Sequence, residues 1–326
     1  MSATRYRLCG KTPVVSISGD APRSYNLQER LSYALKSQRR TLRLLLNTMI
    51  HVRRHSDPAA FLQRAEAWLL QAEAEHNLIL GLARSLIRST DGYEQPIYLA
   101  SLEEGGEVVG CAFRTPPYKM GLTRMPAEAL PVLVRDVAGV YESLPAVLGP
   151  EREGRAFAER WSAETGVSFR RGMDQRIYQL TSVTMPEPMP GGRLRPAEPE
   201  DEATMSEWMR SFSEDARIRV ADPDHKAQDM TAEQRLFLWD DGRPVSMAGW
   251  SGRTVHGARI VYVYTPDAFR RHGYATAAVA VLSRQLLDSG LKMCYLYTDL
   301  SNPTSNAIYA KIGYAPVSDV VDYVFE

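Results

Sequence analysis

"YTPDAFRRHGYATAAV", residues 264–279, decides the reading of the whole chain. A near-continuous β-branched and aromatic run, "ARIVYVYTP", feeds it, and an alanine-rich helix to about Ser289 leaves it. A strand that turns through Arg270, Arg271, His272, Gly273, Tyr274 and Ala275 into a helix leaves the first helical N–H groups unpaired and pointing outward. Such an end attracts anions: the helix dipole contributes about 0.3–1 kcal/mol toward a nearby anion, and Arg270, Arg271 and His272 add local charge. Gly273 and Ala275 lack bulk where a phosphate would have to meet the backbone. An ordinary helix start with solvated arginines would look the same in isolation. Two familiar phosphate loops are excluded, since the chain has no GxxxxGK[ST] and no GxGxxG after a first strand.

A second constellation lies one strand further on, in "LYTDLSNPTSNAIYAKIGY", residues 296–314. Asn302-Pro303 breaks the chain after the strand, Thr304 or Ser305 can cap, and Asn302 and Tyr309 stand two helical turns apart on one side. A tyrosine that points from that side into a cleft can protonate a leaving group. A half-buried core tyrosine is the competing reading.

Together, in this order, the two stretches resemble the acyl-coenzyme A motifs of the GNAT superfamily of N-acetyltransferases. The loop pattern R/Q-x-x-G-x-G/A is met by Arg270, Gly273 and Ala275. The later pattern, Asn followed seven positions on by Tyr in a segment ending K-x-G-Y/F, is met by Asn302, Tyr309, Lys311, Gly313 and Tyr314. The resemblance covers residues 193–326. It implies that acetyl-CoA is the cosubstrate, with its pyrophosphate held by arginine and the backbone amides of Arg270, Arg271, His272, Gly273, Tyr274, Ala275 and Thr276. Tyr262, Val263 and Tyr264 would pair with the pantetheine arm, an amide near Val263 polarising the thioester carbonyl. Asn302, Ser305 and Asn306 would contact the pantetheine or adenosine part, and Tyr309 would protonate the departing thiolate. Direct attack by an amine needs no covalent intermediate, so Cys294 is read as a core thiol. Asp299 and His256 are weak candidates for the general base; Asp299 is better read as capping its loop and His256 as solvated.

The first half repeats the pattern in outline. "SDPAAFLQRAEAWLLQAEAEHNLILGLARSLIR" reads as one helix, or two with a short break, opened by Asp57 and Pro58. "IYLASLEEGGEVVGCAF" is a hairpin of the same kind as "RLFLWDDGRPVSMAGW". Helical stretches follow around residues 126–143 and 151–165, then the strand "DQRIYQLTSV". Yet "KMGLTRMPAEAL" lacks R-x-x-G-x-G/A, and "GPEREGRAFAERW" lacks the Asn and Tyr, with Phe157 and Trp161 read as core. The expected fold is α/β, two GNAT-like mixed-sheet domains in tandem with the N-terminal one degenerate. The expected boundaries are 1–50 for a basic extension, 51–183 for the degenerate domain, 184–192 for a Pro/Gly linker and 193–326 for the catalytic domain. The degenerate copy would cover the acceptor cleft or a sheet edge.

Composition limits the partners. Lys plus Arg and Asp plus Glu are both 39 in the 326 residues, so nothing pulls the whole chain toward nucleic acid or an acidic membrane. No run approaches the roughly 20 apolar residues of a membrane span. The scattered Cys9, Cys111 and Cys294 suit a reducing compartment, and the six histidines form no HExxH, so a cytoplasmic protein without metal is expected. The first 50 residues hold many Arg and Ser and few acids; a transit-like segment and a basic arm are alternatives, but the favoured reading is an upstream extension from a misplaced start, with Met49 as an internal start. A homodimer is left open. Rival functions are a non-catalytic acyl-CoA sensor or scaffold, and an adaptor working through a basic arm at residues 1–54. Acceptor specificity is expected in residues 201–213, in 214–231 and in the inter-domain cleft, where the acids of "SEDARIRVADPDHKAQDM" slightly favour a cationic acceptor.

Overall fold

Asp57 opens the first helix as its sequence predicts: its carboxylate accepts from the Ala59 amide at 2.9 Å, and Pro58 takes the first helical position, where no N–H is needed. The computed structural model describes residues 49–90 and 93–326, of which Ile50–Glu326 form one unit. The expectation of a basic extension over residues 1–50 lies, but for its last two residues, outside the described residues. The end of that basic run is not an arm: His51–Arg54 form strand β1, paired antiparallel with β2.

In chain order β1 is followed by helices α1 (Pro58–Leu69) and α2 (Asn77–Arg88), a single 3-10 turn breaking them at Leu70–Ala72. Strands β2 (Tyr98–Glu104), β3 (Glu107–Arg114) and β4 (Met120–Leu122) lead to α3 (Ala129–Ala138). Then come β5 (Ala146–Gly149), α4 (Glu151–Thr165) and the long β6 (Phe169–Leu180). The plan repeats with β7 (Arg193–Pro196), α5 (Glu202–Ala216), α6 (Pro223–Ala232), β8 (Leu236–Asp240) and β9 (Pro244–Ser251). It closes with β10 (Gly257–Tyr264), α7 (Tyr274–Asp288), β11 (Met293–Asp299), α8 (Pro303–Ile312) and β12 (Ala315–Phe325). Strand β5 and helix α6 escape sequence reading because one is four residues long and the other is largely polar.

All twelve strands share one sheet in the order β1-β2-β3-β4-β5-β12-β6-β11-β10-β9-β8-β7. The halves complete each other. Strand β6, the last of the first half, pairs antiparallel with β11 from Cys294↔Leu180 to Asp299↔Gln175, and β12, the last of the second half, sits between β5 and β6. Each half therefore lends a strand to the other's sheet.

Both faces of the sheet are covered. On one side of the first half Phe157, Trp161 and Tyr323 pack beneath α3 and α4; on the other Phe61, Leu69, Ile79 and Leu80 carry α1 and α2. In the second half α7 and α8 bury Ala277, Val279, Leu282, Tyr309 and Ile312 against the sheet, while Met205, Trp208, Met209 and Met230 of α5 and α6 cover the opposite face. Phe157 and Trp161 are wholly buried and stacked, as core residues should be.

Candidate active site

Strands β10 and β11 are parallel neighbours only at their beginnings, Gly257↔Met293 to Arg259↔Tyr295. Beyond that β11 stays with β6, while β10 stays with β9, so the two strands part toward their C-terminal ends. At the open end β10 bulges: Val261 faces Gly249 and Tyr264 faces Met247, which sets two residues, Tyr262 and Val263, opposite one. Tyr262 is held at φ +53°, a left-handed conformation that a tyrosine adopts only at a cost. A bulge leaves its extra residue out of the ladder, so backbone polar groups here are free for a ligand strand.

From the bulge the chain runs through Asp267–Phe269 to α7, whose start has no side-chain cap. Gly273 at φ +83° occupies the capping position, and a Cβ built on it would meet nothing within 4 Å. The glycine is therefore needed for its backbone angle, and the space beside it is open. The first intrahelical bond is that of the Ala277 amide to the Gly273 carbonyl, and the amides before it face outward. Arg270 has a task within the loop: its guanidinium donates to the Thr265 carbonyl at 3.0 Å and pairs with Asp215 at 2.6 Å and Asp267 at 2.8 Å. Arg271, exposed at φ +68°, has no ion pair among the described residues. His272 stacks on Tyr274, whose hydroxyl donates to Asp241 at 2.7 Å.

The cap of α8 is Asn302 itself, not Thr304 or Ser305: its Oδ1 accepts from the Ser305 amide at 3.1 Å, behind Pro303. Asn306 donates to the carbonyls of Asp299 and Asn302 and accepts from the Tyr178 hydroxyl at 3.3 Å, which joins α8 to β6 of the first half. Seven residues after Asn302, Tyr309 is 9% exposed and lies edge-on to Tyr314, with ring centroids 5.9 Å apart. Its hydroxyl bonds to no described residue, and burial pushes its pKa up to about 12, so it is a protonated donor at neutral pH. Cys294 is wholly buried, and burial likewise pushes its thiol up to about 12, which suits a core residue.

Of the two candidate bases, Asp299 accepts from the Ser301 amide at 2.7 Å, the loop cap its sequence suggests. His256 is half-exposed, as a solvated loop residue would be, but it is also anchored. Its backbone N–H and Nδ1 both engage Glu73, at 2.9 and 2.7 Å, before β10 begins and at the far end of the strand from the bulge. Burial of Glu73 raises its pKa, but hydrogen bonds from Thr254 and His256 outweigh it and hold the carboxyl below its usual range. Four of the five acids of residues 214–231 have local partners: Asp215 holds Arg270, Asp222 caps α6, Asp224 pairs with Arg210 and Asp229 with His225.

The matching turn of the first half is filled. Between β4 and α3, Met125 is 3% exposed and its amide faces the Glu153 carboxylate at 3.5 Å. Glu153 is itself buried and paired with Arg152 at 2.5 Å. A buried carboxylate thus meets an amide of this turn.

With this geometry in place, comparison with known proteins is informative. Residues 202–314 match the model of the acetyltransferase (GNAT) family. The fold extends beyond the match. A solved Drosophila protein shares it at TM-score 0.62 and 12% identity over 84% of this chain and 98% of its own. A GCN5-related N-acetyltransferase from Sphaerobacter thermophilus does so at 0.54 and 17%, over 84% and 94%. A tandem GNAT protein from the clavulanic acid biosynthesis pathway does so at 0.50 and 12%, over 84% and 97%. No curated protein matches by sequence at the significance required. The fold is two GNAT-like mixed-sheet halves in tandem. No helix among the described residues is long and apolar enough to cross a membrane, and no group of three or more acidic, histidine or cysteine side chains among them could hold a metal ion.

Proposed function

We propose that the second half transfers an acetyl group from acetyl-CoA to an amine, by direct attack in a ternary complex, in the cytoplasm. The observation that carries this reading is the bulge at Tyr262–Val263, at the parted end of β10 and β11, leading directly to the uncapped start of α7. The cosubstrate fits what is there. A pyrophosphate would take the amides from Arg271 to Thr276 and the charge of Arg271 and His272, with Arg270 shaping the loop. Tyr262, Val263 and Tyr264 would take the pantetheine arm in a strand-like way. The free side of Asn302, with Ser305 and Asn306 at the start of α8, would border it.

The neutral amine attacks the acetyl carbonyl carbon; a C–N bond forms, the C–S bond breaks, and the oxyanion formed on the way is met by the bulge amide near Val263. The leaving sulfur takes the Tyr309 proton, and the nitrogen loses its extra proton to solvent. Within the same proposal, residues 51–183 are a half without a cofactor and 193–326 the working half, joined by 184–192. Calorimetry with acetyl-CoA, followed by thiol release over a panel of amines, tests the reading. Binding and amine-dependent thiol release are expected; folded protein that does not bind acetyl-CoA would overturn it.

A further inference from the structure

Arg259 is the one arginine of β10, and its surroundings are unusual. Ala258, Ile260 and Val263 belong to the core under α7 and α8, while Val261, Tyr262 and Tyr264 face α5 and α6. By alternation Arg259 shares the second face, away from the expected phosphate loop. There its guanidinium donates to Asn77 Oδ1 at 3.1 Å, at the start of α2 from the first half. It also lies so close over Gly252 that a Cβ there would stand 3.1 Å from its nitrogens. Gly252 is in turn pressed by α2, because a Cβ on Gly81 would be 2.5 Å from its Cα. The two glycines let the helix of one half close over the arginine of the other.

No carboxylate pairs with Arg259 among the described residues, and burial holds its pKa below the usual arginine value. Its neighbours are tyrosines instead, which burial keeps protonated and uncharged, so they leave its charge unbalanced. Tyr93, Tyr262 and Tyr297 are near enough to interact with its charge, and Tyr118 packs edge-on to Tyr93 at 6.3 Å. The hydroxyls of Tyr93, Tyr118 and Tyr262 have no hydrogen bond to a described residue, and that of Tyr297 has only a 3.5 Å contact with Asn77 Nδ2. Arg235 and Lys226 add positive charge from the α6 side, offset within the cluster by Glu233 at 2.7 Å from Arg235. A half-buried cation without a carboxylate partner, next to tyrosine hydroxyls that make no hydrogen bond to a described residue, is costly to hold for nothing. It is complementary to an oxygen anion, and a guanidinium fork matches a carboxylate in particular.

We infer that Arg259, with the tyrosine hydroxyls around it, binds a carboxylate of the acceptor, so that the acceptor is an amine that also carries a carboxylate. Arg259 stands three residues before Tyr262, about 10 Å along the strand, on the face that α5 and α6 cover, away from the phosphate loop. The inference rests on the transferase reading, and its test is built to fail separately. Unbranched ω-amino carboxylates of two to six carbons, and their primary amides, are titrated into the full chain with coenzyme A present, and assayed for thiol release with acetyl-CoA. Carboxylates are expected to bind at least tenfold more tightly than their amides. Arg259→Gln is expected to abolish that preference while leaving acetyl-CoA affinity within twofold. Tyr93→Phe, which removes one hydroxyl and keeps the ring, should reduce the preference in part and serves if Arg259→Gln does not fold. Equal binding of carboxylates and amides to the parent protein, or an equal loss for both in the variants, would overturn the inference. Acetyl-CoA binding without thiol release would instead count against the transferase reading, and the binding comparison would still decide the role of Arg259.

Discussion

Replacing Tyr309 by Phe removes one oxygen from a ring that is otherwise held by packing. The ring lies edge-on to Tyr314 and among Ile312, Cys294 and Leu296, none of which depends on the hydroxyl. Because that hydroxyl bonds to no described residue, stability should change by no more than about 0.5 kcal/mol. Turnover should respond very differently. A positioned acid contributes about 10²- to 10⁴-fold, and a thiol near the usual pKa of about 8.5 is a good leaving group needing the smaller share. The expected loss in kcat is thus about 100-fold, or about 2.7 kcal/mol of barrier. Acetyl-CoA affinity should hold within about twofold, since a hydroxyl that acts only as the sulfur departs adds little to ground-state binding. Burial pushes Tyr309 up to about 12, so the donor keeps its proton and kcat should show no tyrosine-dependent fall up to about pH 10. Thiol-release kinetics, calorimetry and a thermal melt on the parent and the variant provide the readings. A variant with unchanged kcat, or one that loses affinity and turnover alike, would refute the role given to the hydroxyl.

Three further outcomes follow from other parts of the molecule. Gly273→Val forces a side chain onto φ +83°, at a cost of about 1–2 kcal/mol, and should weaken acetyl-CoA at least tenfold by calorimetry with only a small drop in Tm; unchanged affinity would contradict the phosphate role of the turn. Glu73→Ala removes the anchor of His256 and should cost about 2 kcal/mol in urea unfolding at pH 7. The Glu73 pKa is lowered by folding, so its stabilisation is present above the ordinary carboxylate range and lost as pH falls through the folded value; the loss in the variant should shrink at low pH, and a constant loss would count against this. Residues 50–183 produced alone lack β12, the strand between β5 and β6, and should show no cooperative unfolding by circular dichroism, whereas a folded monomer would argue against strand exchange as a requirement of the fold.

The chemistry of the candidate site could be read where it is local. Arg270 to Ala275 form one turn, and Asn302 to Tyr309 lie on one helix, so strand, turn and cap signals suffice to place them. What resisted reading is what the sheet brings together from afar. Nothing in "APVSDVVDYVF" says that its partners are β5 and β6, because alternation tells which face a residue takes and not which sheet it joins. His256 reads as a solvated loop residue because Glu73 lies 183 positions away. Arg259 reads as an ordinary strand arginine between Ala258 and Ile260, and its tyrosines come from positions 93, 118, 262 and 297. The sole local hint is what is missing, a nearby acid to pair with it. Arg270 shows the converse: the motif names it, yet Asp215 on α5 gives it a structural task that the motif does not disclose.

On the proposed reading one half keeps a cosubstrate site, while in the other the Glu153 carboxylate meets the Met125 amide of the matching turn. The number of acetyl-CoA molecules bound per chain, measured by isothermal titration calorimetry on the full protein, tests it most directly. One site, lost in Gly273→Val and kept in Met125→Ala, is the result expected; two sites, or a single site that survives Gly273→Val and disappears in Met125→Ala, would contradict it.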